Sequence, residues 1–234
     1  MDNKFIRSQL LLGEEGIYKL KNSTVAVFGI GGVGSFASEA LVRSGLGKII
    51  LIDYDIIDIS NLNRQIHATT KTIGLPKVDV MKERLLEINP EIEVVAFKEK
   101  YNSETRYKLI STEYDYVVDA IDMITSKIDL IVTCKTMGIP IISSMGAGNK
   151  LDPTAFSVGD IYSTHTCPLA KVIRQELRKR NIESLKVVWS KEKPMKANLE
   201  REGRRKAIPG SVSFVPSVAG LIIASEVIKD LIWG

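Results

Sequence analysis

The amino-acid sequence predicts an α/β fold with an open, mostly parallel sheet, helices on both faces and a basic C-terminal segment. Two observations support this prediction. Short β-branched apolar runs, typical of buried strands, alternate with helical apolar spacing through roughly the first 145 residues. The first strand–helix–strand unit covers about thirty residues, which is the size of a parallel crossover.

Each predicted element follows from its own pattern. The run TVAVFG at 24–29 predicts a strand, and the helical spacing at 35–44 ends where two glycines stop it. Further strands are predicted at 48–53, 91–97, 116–121, 140–144 and 186–190, and further helices at 78–88, 126–137 and 168–180. Polar residues interrupt the apolar stretch at 212–233, so it predicts a strand or turn and then a buried helix, without stable membrane insertion.

A glycine-rich turn between the first strand and its helix is the strongest motif. GIGGVG at 29–34 fits G-x-G-x-x-G, in which glycines permit close backbone approach and the helix N-terminus offers free N–H groups to phosphate. In this context it predicts a Rossmann-like domain that binds a nucleotide. The candidate binding residues are Gly29, Gly31, Gly32 and Gly34.

The acid that ends the second strand is the candidate ribose ligand. Asp53 lies about twenty residues after the glycine turn, where such an acid is expected, and Asp55 is a second candidate. The alternative for Asp53 is a carboxylate that caps the next turn. NAD and ATP both fit the residues up to this point.

Two downstream cations favour ATP over NAD. Nucleotidyl transfer needs positive charge on the polyphosphate, because negative charge moves onto the departing pyrophosphate. Arg64 and Lys77 would supply that charge, whereas hydride transfer needs neither. The alternative is that both are solvated surface residues.

Five motifs, GIGGVG, LIDYD, SNLNRQ, GLPK and VVDAID, occur in order between Gly29 and Asp122, and the similarity around them covers roughly residues 7–150. This set resembles the ubiquitin-activating-like adenylating enzymes, a superfamily that includes ThiF, MoeB and HesA. The resemblance implies that ATP and Mg²⁺ are the cofactors and that a carboxylate is adenylated. It further implies one adenylating domain over 1–234, with a nucleotide-binding core at 1–150, a substrate-binding part at 151–234 and an exposed basic loop at about 191–209.

The resemblance also assigns roles by position. Arg64 and Lys77 would act catalytically on the phosphates, and Asp122 would position magnesium. An acid after a buried strand suits magnesium on independent grounds, although a helix N-cap is the alternative for Asp122. Arg7 would reach across a homodimer into the partner's site, although FIRSQ departs from the usual arginine–glutamine pair. The other cofactor-binding residues implied are Ser60, Asn61, Asn63 and Met123.

Cysteine usage separates members of the superfamily. Two cysteines without a secretory signal indicate a cytoplasmic protein, and the C-x-x-C pairs of sulfur-carrier activators are absent from the sequence. Thioester formation needs a thiol, and no cysteine occurs between Pro168 and Pro209. Cys167 is interpreted as an inert thiol at a helix start, with a nucleophile as the alternative.

The remaining pattern resembles one subfamily, the tRNA threonylcarbamoyladenosine dehydratases. The supporting stretches are RQIHA, INPE, GAG followed by DPT, and PLA, although Cys167 stands where an aspartate usually precedes PLA. The resemblance implies ATP-dependent adenylation of the threonylcarbamoyl carboxylate on tRNA, then cyclisation with net loss of water. A sulfur-transfer protein is a further expected partner.

The basic C-terminal segment would then contact tRNA. Its cations could follow a phosphate backbone, and Trp189 could stack on a base, with a core position as the alternative. The candidate nucleic-acid residues are Arg174, Arg178, Lys179, Arg204, Arg205 and Lys206. Two alternatives remain: adenylation of the C-terminal glycine of a sulfur-carrier or ubiquitin-like protein, and a nucleotide-binding scaffold without turnover.

Overall fold

The computed structural model of the protein describes residues 4–195 and 209–234. Its strands are β1 (Thr24–Phe28), β2 (Lys48–Ile52), β3 (Glu93–Phe97), β4 (Tyr116–Asp119), β5 (Ile141–Ser144), β6 (Phe156–Asp160) and β7 (Lys186–Ser190). They form one sheet in the order β3-β2-β1-β4-β5-β7-β6. All neighbouring strands are parallel except β6, which runs antiparallel to β7. The prediction of a mostly parallel α/β sheet is confirmed.

The helices are α1 (Ile6–Lys21), α2 (Gly34–Arg43), α3 (Lys77–Ile88), α4 (Arg106–Leu109), α5 (Ile124–Met137), α6 (Pro168–Arg178) and α7 (Phe214–Trp233). The predicted strands and helices are all present, with ends that differ by two residues or fewer. The predicted basic loop at about 191–209 lies largely outside the described residues.

Sequence patterns missed α1, α4 and β6. Helix α1 is kinked at Gly13, where φ is +76°, so its apolar residues do not form one continuous stripe. Strand β6 is half-buried at the sheet edge and contains Gly159, which weakens both the alternation and the β-propensity. Helix α4 is a single turn, too short for its periodicity to register.

Both faces of the sheet are covered by helices. On β1, Val25 and Val27 belong to a core with residues of α2, α3 and α7. Ala26 and Phe28 point the other way, into a core with residues of α5 and α6. Strands buried on both faces have continuous apolar sequences, which makes them recognisable. In the described parts of the chain, no helix is long and apolar enough to cross a membrane.

A buried ion pair joins three elements at the carboxyl edge of the sheet. Lys127 of α5 donates to Asp119 Oδ2 at 2.7 Å, and both side chains are fully buried. The same ammonium donates to Ser143 Oγ at 3.1 Å and to the Ser144 carbonyl at 3.0 Å. Asp119 Oδ1 accepts the backbone N–H of Ile121 at 3.1 Å. These bonds fix the ends of β4 and β5 against α5.

His67 is a buried imidazole beside α3, with 2% of its surface exposed. Neither ring nitrogen has a hydrogen-bond partner within the described residues. Burial, followed by the positive charges of Lys77 and Arg84, lowers the pKa of His67 to about 4. The folded protein therefore keeps this ring neutral at pH values where the unfolded chain protonates it.

Acidification should consequently reduce stability through His67. Between pH 6.5 and pH 4 the unfolded state binds a proton that the folded state does not, so the free energy of unfolding falls as pH falls. The loss from this group alone is about 3 kcal/mol across that window. We expect His67→Phe to show a flatter pH dependence than wild type in urea titrations. The exposed His165, changed to Phe, is the matched control for loss of an imidazole. A His67→Phe slope equal to the wild-type slope would contradict the assignment.

Candidate active site

A cleft of about 650 Å³ lies at the carboxyl edge of the sheet. It is lined by segments that follow five strands: 99–101 after β3, 53–55 after β2, 29–33 after β1, 120–123 after β4 and 144–150 after β5. The strand order reverses between β1 and β4, and open α/β sheets bind ligands at such a point. The glycine turn opens directly into this crevice.

The glycine turn requires its glycines for steric reasons. Gly29 has a φ of +91°, and a Cβ there would lie 2.7 Å from the carbonyl oxygen of Ala120. A Cβ on Gly34 would lie 1.8 Å from the Gly29 carbonyl oxygen. Gly31 and Gly32 line the cleft, whereas Gly34 lies beneath the turn and begins α2. The turn can therefore present backbone rather than side chains to a bound phosphate.

Asp53 fastens the glycine turn to the end of β2. Its Oδ2 accepts the Ile30 N–H at 2.6 Å, and its Oδ1 accepts the Asp55 N–H at 2.8 Å. Burial raises the pKa of Asp53, and the charge of Lys77 and these two N–H donors oppose that rise. The capping bond that the sequence left open is thus present, and each carboxylate oxygen keeps a lone pair for a ligand in the cleft.

Lys77 and Asp55 form an ion pair on the cleft wall. Lys77 is the first residue of α3 and is largely buried, and its ammonium lies 2.7 Å from Asp55 Oδ2. Asp55 is more exposed than its partner. The lysine is therefore held by one carboxylate at the cleft, where phosphate oxygens could share its remaining N–H donors.

The turn at Ile59–Asn61 presents Asn61 and Arg64 to the cleft. Asp58 caps it, because its Oδ1 accepts the Ser60 N–H at 2.8 Å while its own N–H donates to Asn61 Oδ1 at 3.0 Å. The Arg64 guanidinium donates to the Ser60 carbonyl at 2.7 Å. Ser60 thus braces Arg64 and does not itself line the cleft.

Asn63 connects this turn to the C-terminal part of the chain. Its Oδ1 accepts from Arg64 at 2.9 Å, and its Nδ2 donates to the Ser211 carbonyl at 2.8 Å. Asn63 lies outside the cleft lining, while Ser211 belongs to it.

Gln65 is a lining residue that sequence reasoning missed. Its buried Oε1 has no hydrogen-bond partner in the described structure.

Asp122 is exposed in the cleft after β4. The N-cap of α5 is Met123, a second lining residue, and no side chain caps that helix, so the N-cap alternative for Asp122 is wrong. Burial and then the charges of Asp55 and Asp122 raise the pKa of the Tyr54 phenol across the cleft. The described residues contain no cluster of three or more metal-binding side chains. A single free carboxylate beside a phosphate site fits magnesium, which takes its other ligands from phosphate and water.

The far end of the cleft was not predicted. It consists of the loop after β5 and the first residues of α6, and its lining residues include Ser144, Lys150 and Cys167. Cys167 is only 2% exposed, which agrees with the interpretation of an inert thiol. Every loop after a parallel strand reaches this same edge of the sheet, so the rule predicts that the loop after β5 lines the cleft, but it does not single out Lys150 or Cys167.

The predicted nucleic-acid residues lie in two places. On α6, Arg174 donates to the Thr164 carbonyl at 2.9 Å, and the exposed Arg178 lies 5.2 Å from the ring of Tyr162. The exposed Lys179, which follows the last residue of α6, donates to Glu176 at 2.7 Å. Arg204, Arg205 and Lys206 lie outside the described residues.

The stacking interpretation of Trp189 is wrong, because its side chain is buried in the core. Arg7 is exposed on α1 and does not line the cleft.

This geometry defines a Rossmann-like nucleotide-binding protein with two cations and a free carboxylate around a phosphate-binding turn. The chain belongs to the ThiF family, whose model matches residues 5–232. It is 50% identical, over 99% of its length and 96% of the relative's, to the tRNA threonylcarbamoyladenosine dehydratase of Bacillus subtilis. It also resembles crystal structures of E. coli tRNA N6-threonylcarbamoyladenosine dehydratase, TcdA, in complex with AMP (TM-score 0.90) and with ATP (TM-score 0.87). Each match has 34% identity and covers 97% of this chain and 93% of that chain.

Asp53→Asn should weaken both the glycine turn and nucleotide binding. The amide has one acceptor atom, so the N–H of Ile30 or of Asp55 loses its partner. We expect the free energy of unfolding to fall by about 1–3 kcal/mol and ATP affinity to fall with it. Denaturant titration and calorimetric ATP binding measure the two effects. Asp79→Asn, on the exposed surface of α3, is the matched control; an Asp53 variant that behaves like this control would contradict the role.

Proposed function

We propose that this protein is an ATP-dependent tRNA threonylcarbamoyladenosine dehydratase. It adenylates the threonylcarbamoyl carboxylate on tRNA and then cyclises that side chain with net loss of water. The observation that supports this most is the cleft, which joins a phosphate-binding turn to Arg64, Lys77 and the free carboxylate of Asp122. The name of the B. subtilis relative and the ATP and AMP complexes of the E. coli enzyme support the same activity.

The chain's own residues would bind and orient ATP. Backbone N–H groups of the glycine turn face the phosphates, and Asp53 offers its free lone pairs to the ribose hydroxyls. The Oδ1 of Asn61 is occupied by the Asp58 N–H, which leaves its amide N–H groups for a phosphate oxygen. Asp122 would hold Mg²⁺ together with the phosphates, and that ion, when bound, would neutralise negative charge on them.

In the first step, a carboxylate oxygen of the threonylcarbamoyl group bonds to the α-phosphorus while the bond to pyrophosphate breaks. Negative charge moves onto the departing pyrophosphate, where Arg64 and Lys77 stabilise it. In the second step, a group of the same side chain attacks the activated acyl carbon. The ring closes, AMP leaves and one proton is released, so no enzyme thiol is needed.

Contact with tRNA is assigned to the basic residues of α6 and of the segment that follows β7. Arg178 at the end of α6 and Lys179 just after it are exposed, so a phosphate backbone could reach them. Binding of this type releases counterions and should weaken steeply with salt. The proposed site of action is the cytoplasm, and a sulfur-transfer protein stays a predicted partner.

The decisive assay contains the full-length protein, ATP, magnesium and tRNA that carries threonylcarbamoyladenosine. We expect AMP, pyrophosphate and a nucleoside lighter by one water, detected by chromatography and mass spectrometry. Lys77→Met and Asp122→Asn should each lower turnover by about 100-fold or more, because Lys77 supplies positive charge to the leaving pyrophosphate and Asp122 would hold the magnesium ion that does the same. Lys82→Met and Asp79→Asn, both on α3 and outside the cleft lining, are the matched controls.

Other products would redirect the proposal. AMP formed only with a sulfur-carrier protein would contradict a tRNA acceptor and favour the alternative one. ATP binding without AMP from either acceptor would favour a nucleotide-binding scaffold. Full activity of a folded Lys77 or Asp122 variant would remove that residue from the mechanism.

The proposal includes a homodimer in which Arg7 serves the partner's cleft. Arg7 lies on α1 and does not line the cleft of its own chain, so it would act on a bound nucleotide in the cleft of a second copy. The same helix exposes Leu10 by 79% and Leu11 by 85%, an apolar surface that a partner would cover. Closed twofold symmetry would place two copies of α1 against two clefts.

Mixing two inactive variants tests this arrangement. Arg7→Ala disables the partner's site, whereas Lys77→Met disables the site of its own chain. A mixed dimer therefore keeps one intact site, and equimolar mixing after subunit exchange should restore about a quarter of wild-type activity. If Arg7 acted within its own chain, the mixture would stay as inactive as the two separate variants. Sedimentation of each variant provides the control for dimer formation.

A further inference from the structure

A buried lysine lies at the end of the cleft away from the predicted nucleotide residues. Lys150 follows β5 and is only 3% exposed. It shares this end of the cleft with residues 144–149 after β5 and with Cys167, Pro168 and Leu169 at the start of α6. Among the described lining residues of these two segments, it is the one charged side chain.

The ammonium of Lys150 has fewer acceptors than donors. It donates to the Gly146 carbonyl at 2.6 Å, and no carboxylate of the described residues lies within ion-pair distance. Glu192 is nearby, but its carboxylate accepts the backbone N–H groups of Leu151 and Asp152 at 2.9–3.1 Å. Burial lowers the pKa of Lys150, and the nearby Cys167 and Glu192 oppose that shift. A buried ammonium with one neutral partner is costly, and an anion bound beside it would offset that cost.

The backbone beside Lys150 is held firmly. Asn149 adopts a left-handed conformation with φ of 58° and exchanges two hydrogen bonds with Gly210, at 2.7 Å from its N–H and 2.6 Å to its Oδ1. Its carbonyl accepts the Met195 N–H at 2.7 Å. The lysine therefore projects from a loop that is fixed at three points, which suits a group that must orient a substrate.

We infer that Lys150 binds the carboxylate of the acceptor, the group that attacks ATP; this inference rests on the proposed function. ATP and the acceptor are both anions, and Arg64 and Lys77 are committed to the phosphates. A separate cation is needed to bring the acceptor carboxylate beside them. Lys150 pairs with one carboxylate oxygen and leaves the other free to attack the α-phosphorus.

Adenylation then releases the group from Lys150. The acceptor carboxylate loses its negative charge when its oxygen bonds to AMP, so the ion pair with the Lys150 ammonium is lost. The activated acyl carbon becomes free to turn toward the attacking group of the same side chain. Lys150 would thus favour the substrate before activation and not the product.

Three measurements on full-length Lys150→Met test this role. We expect its KM for threonylcarbamoyl-tRNA to rise about tenfold or more, because a buried charge pair is lost. Its Kd for ATP, and its Ki for the same tRNA without the threonylcarbamoyl group, should stay within about twofold of wild type, because neither ligand presents that carboxylate. Lys150→Arg keeps the charge and should recover most of the KM.

Each other outcome overturns the inference. An unchanged KM for the modified tRNA removes Lys150 from acceptor binding. A parallel loss in KM, ATP affinity, Ki and melting temperature indicates a purely structural role. If Lys150→Met does not fold, Lys150→Gln, which can still donate to the Gly146 carbonyl, is judged by the same comparison. Failure of the proposed function is seen separately, as absence of AMP from wild-type protein with modified tRNA, and it overturns the inference with it.

Discussion

The cleft depends on the buried ion pair between Asp119 and Lys127. This pair joins the end of β4 to α5, and through Ser143 and Ser144 it also holds the end of β5. Losing one partner of a buried pair typically costs about 3–5 kcal/mol, because the other charge remains buried and uncompensated. Two loops begin at the points that it fixes, one leading to Asp122 and the other to Lys150. Both ends of the proposed reaction therefore depend on one interaction.

Three aspartates at the carboxyl edge of the sheet, one just after β2, one ending β4 and one in the loop after β4, differ in the groups that they bind. Asp119 is fully buried and paired, Asp53 is mostly buried and holds two backbone N–H groups, and Asp122 is exposed without a partner in the described structure. A carboxylate that already accepts from the protein positions other groups. One that accepts nothing is open to a cation or a phosphate-bound ion. Asp119 and Asp53 therefore position the surrounding backbone and side chains, whereas Asp122 is the residue proposed to bind magnesium.

Periodicity and strand ends made much of the fold and the nucleotide end of the cleft predictable. Continuous apolar runs marked β1, β2, β4 and β5, and the parallel arrangement then required the loops after them to share one edge. Lys150 could not be recognised in this way. In the stretch GNKLDP it has the composition of a solvated turn. Its burial results from the left-handed bend at Asn149 and from contacts with residues about sixty positions later, which local patterns do not encode. The stacking role of Trp189 was mispredicted for the same reason. Its position next to a basic stretch suggested an exposed aromatic side chain, but tertiary packing buries it in the core.

The burial of Cys167 bears on the second step of the proposed reaction. Enzymes that pass an acyl group through a thioester need an accessible thiol near the adenylate. Here the one thiol among the described lining residues is closed off at the start of α6, beside a lysine that has no carboxylate partner. An acceptor that carries its own attacking group needs no thiol, but it does need its carboxylate held in place until activation. A cation at that position and a buried thiol are therefore the expected pair of features for an intramolecular second step. An accessible thiol at this position would instead suit transfer of the acyl group to a separate acceptor.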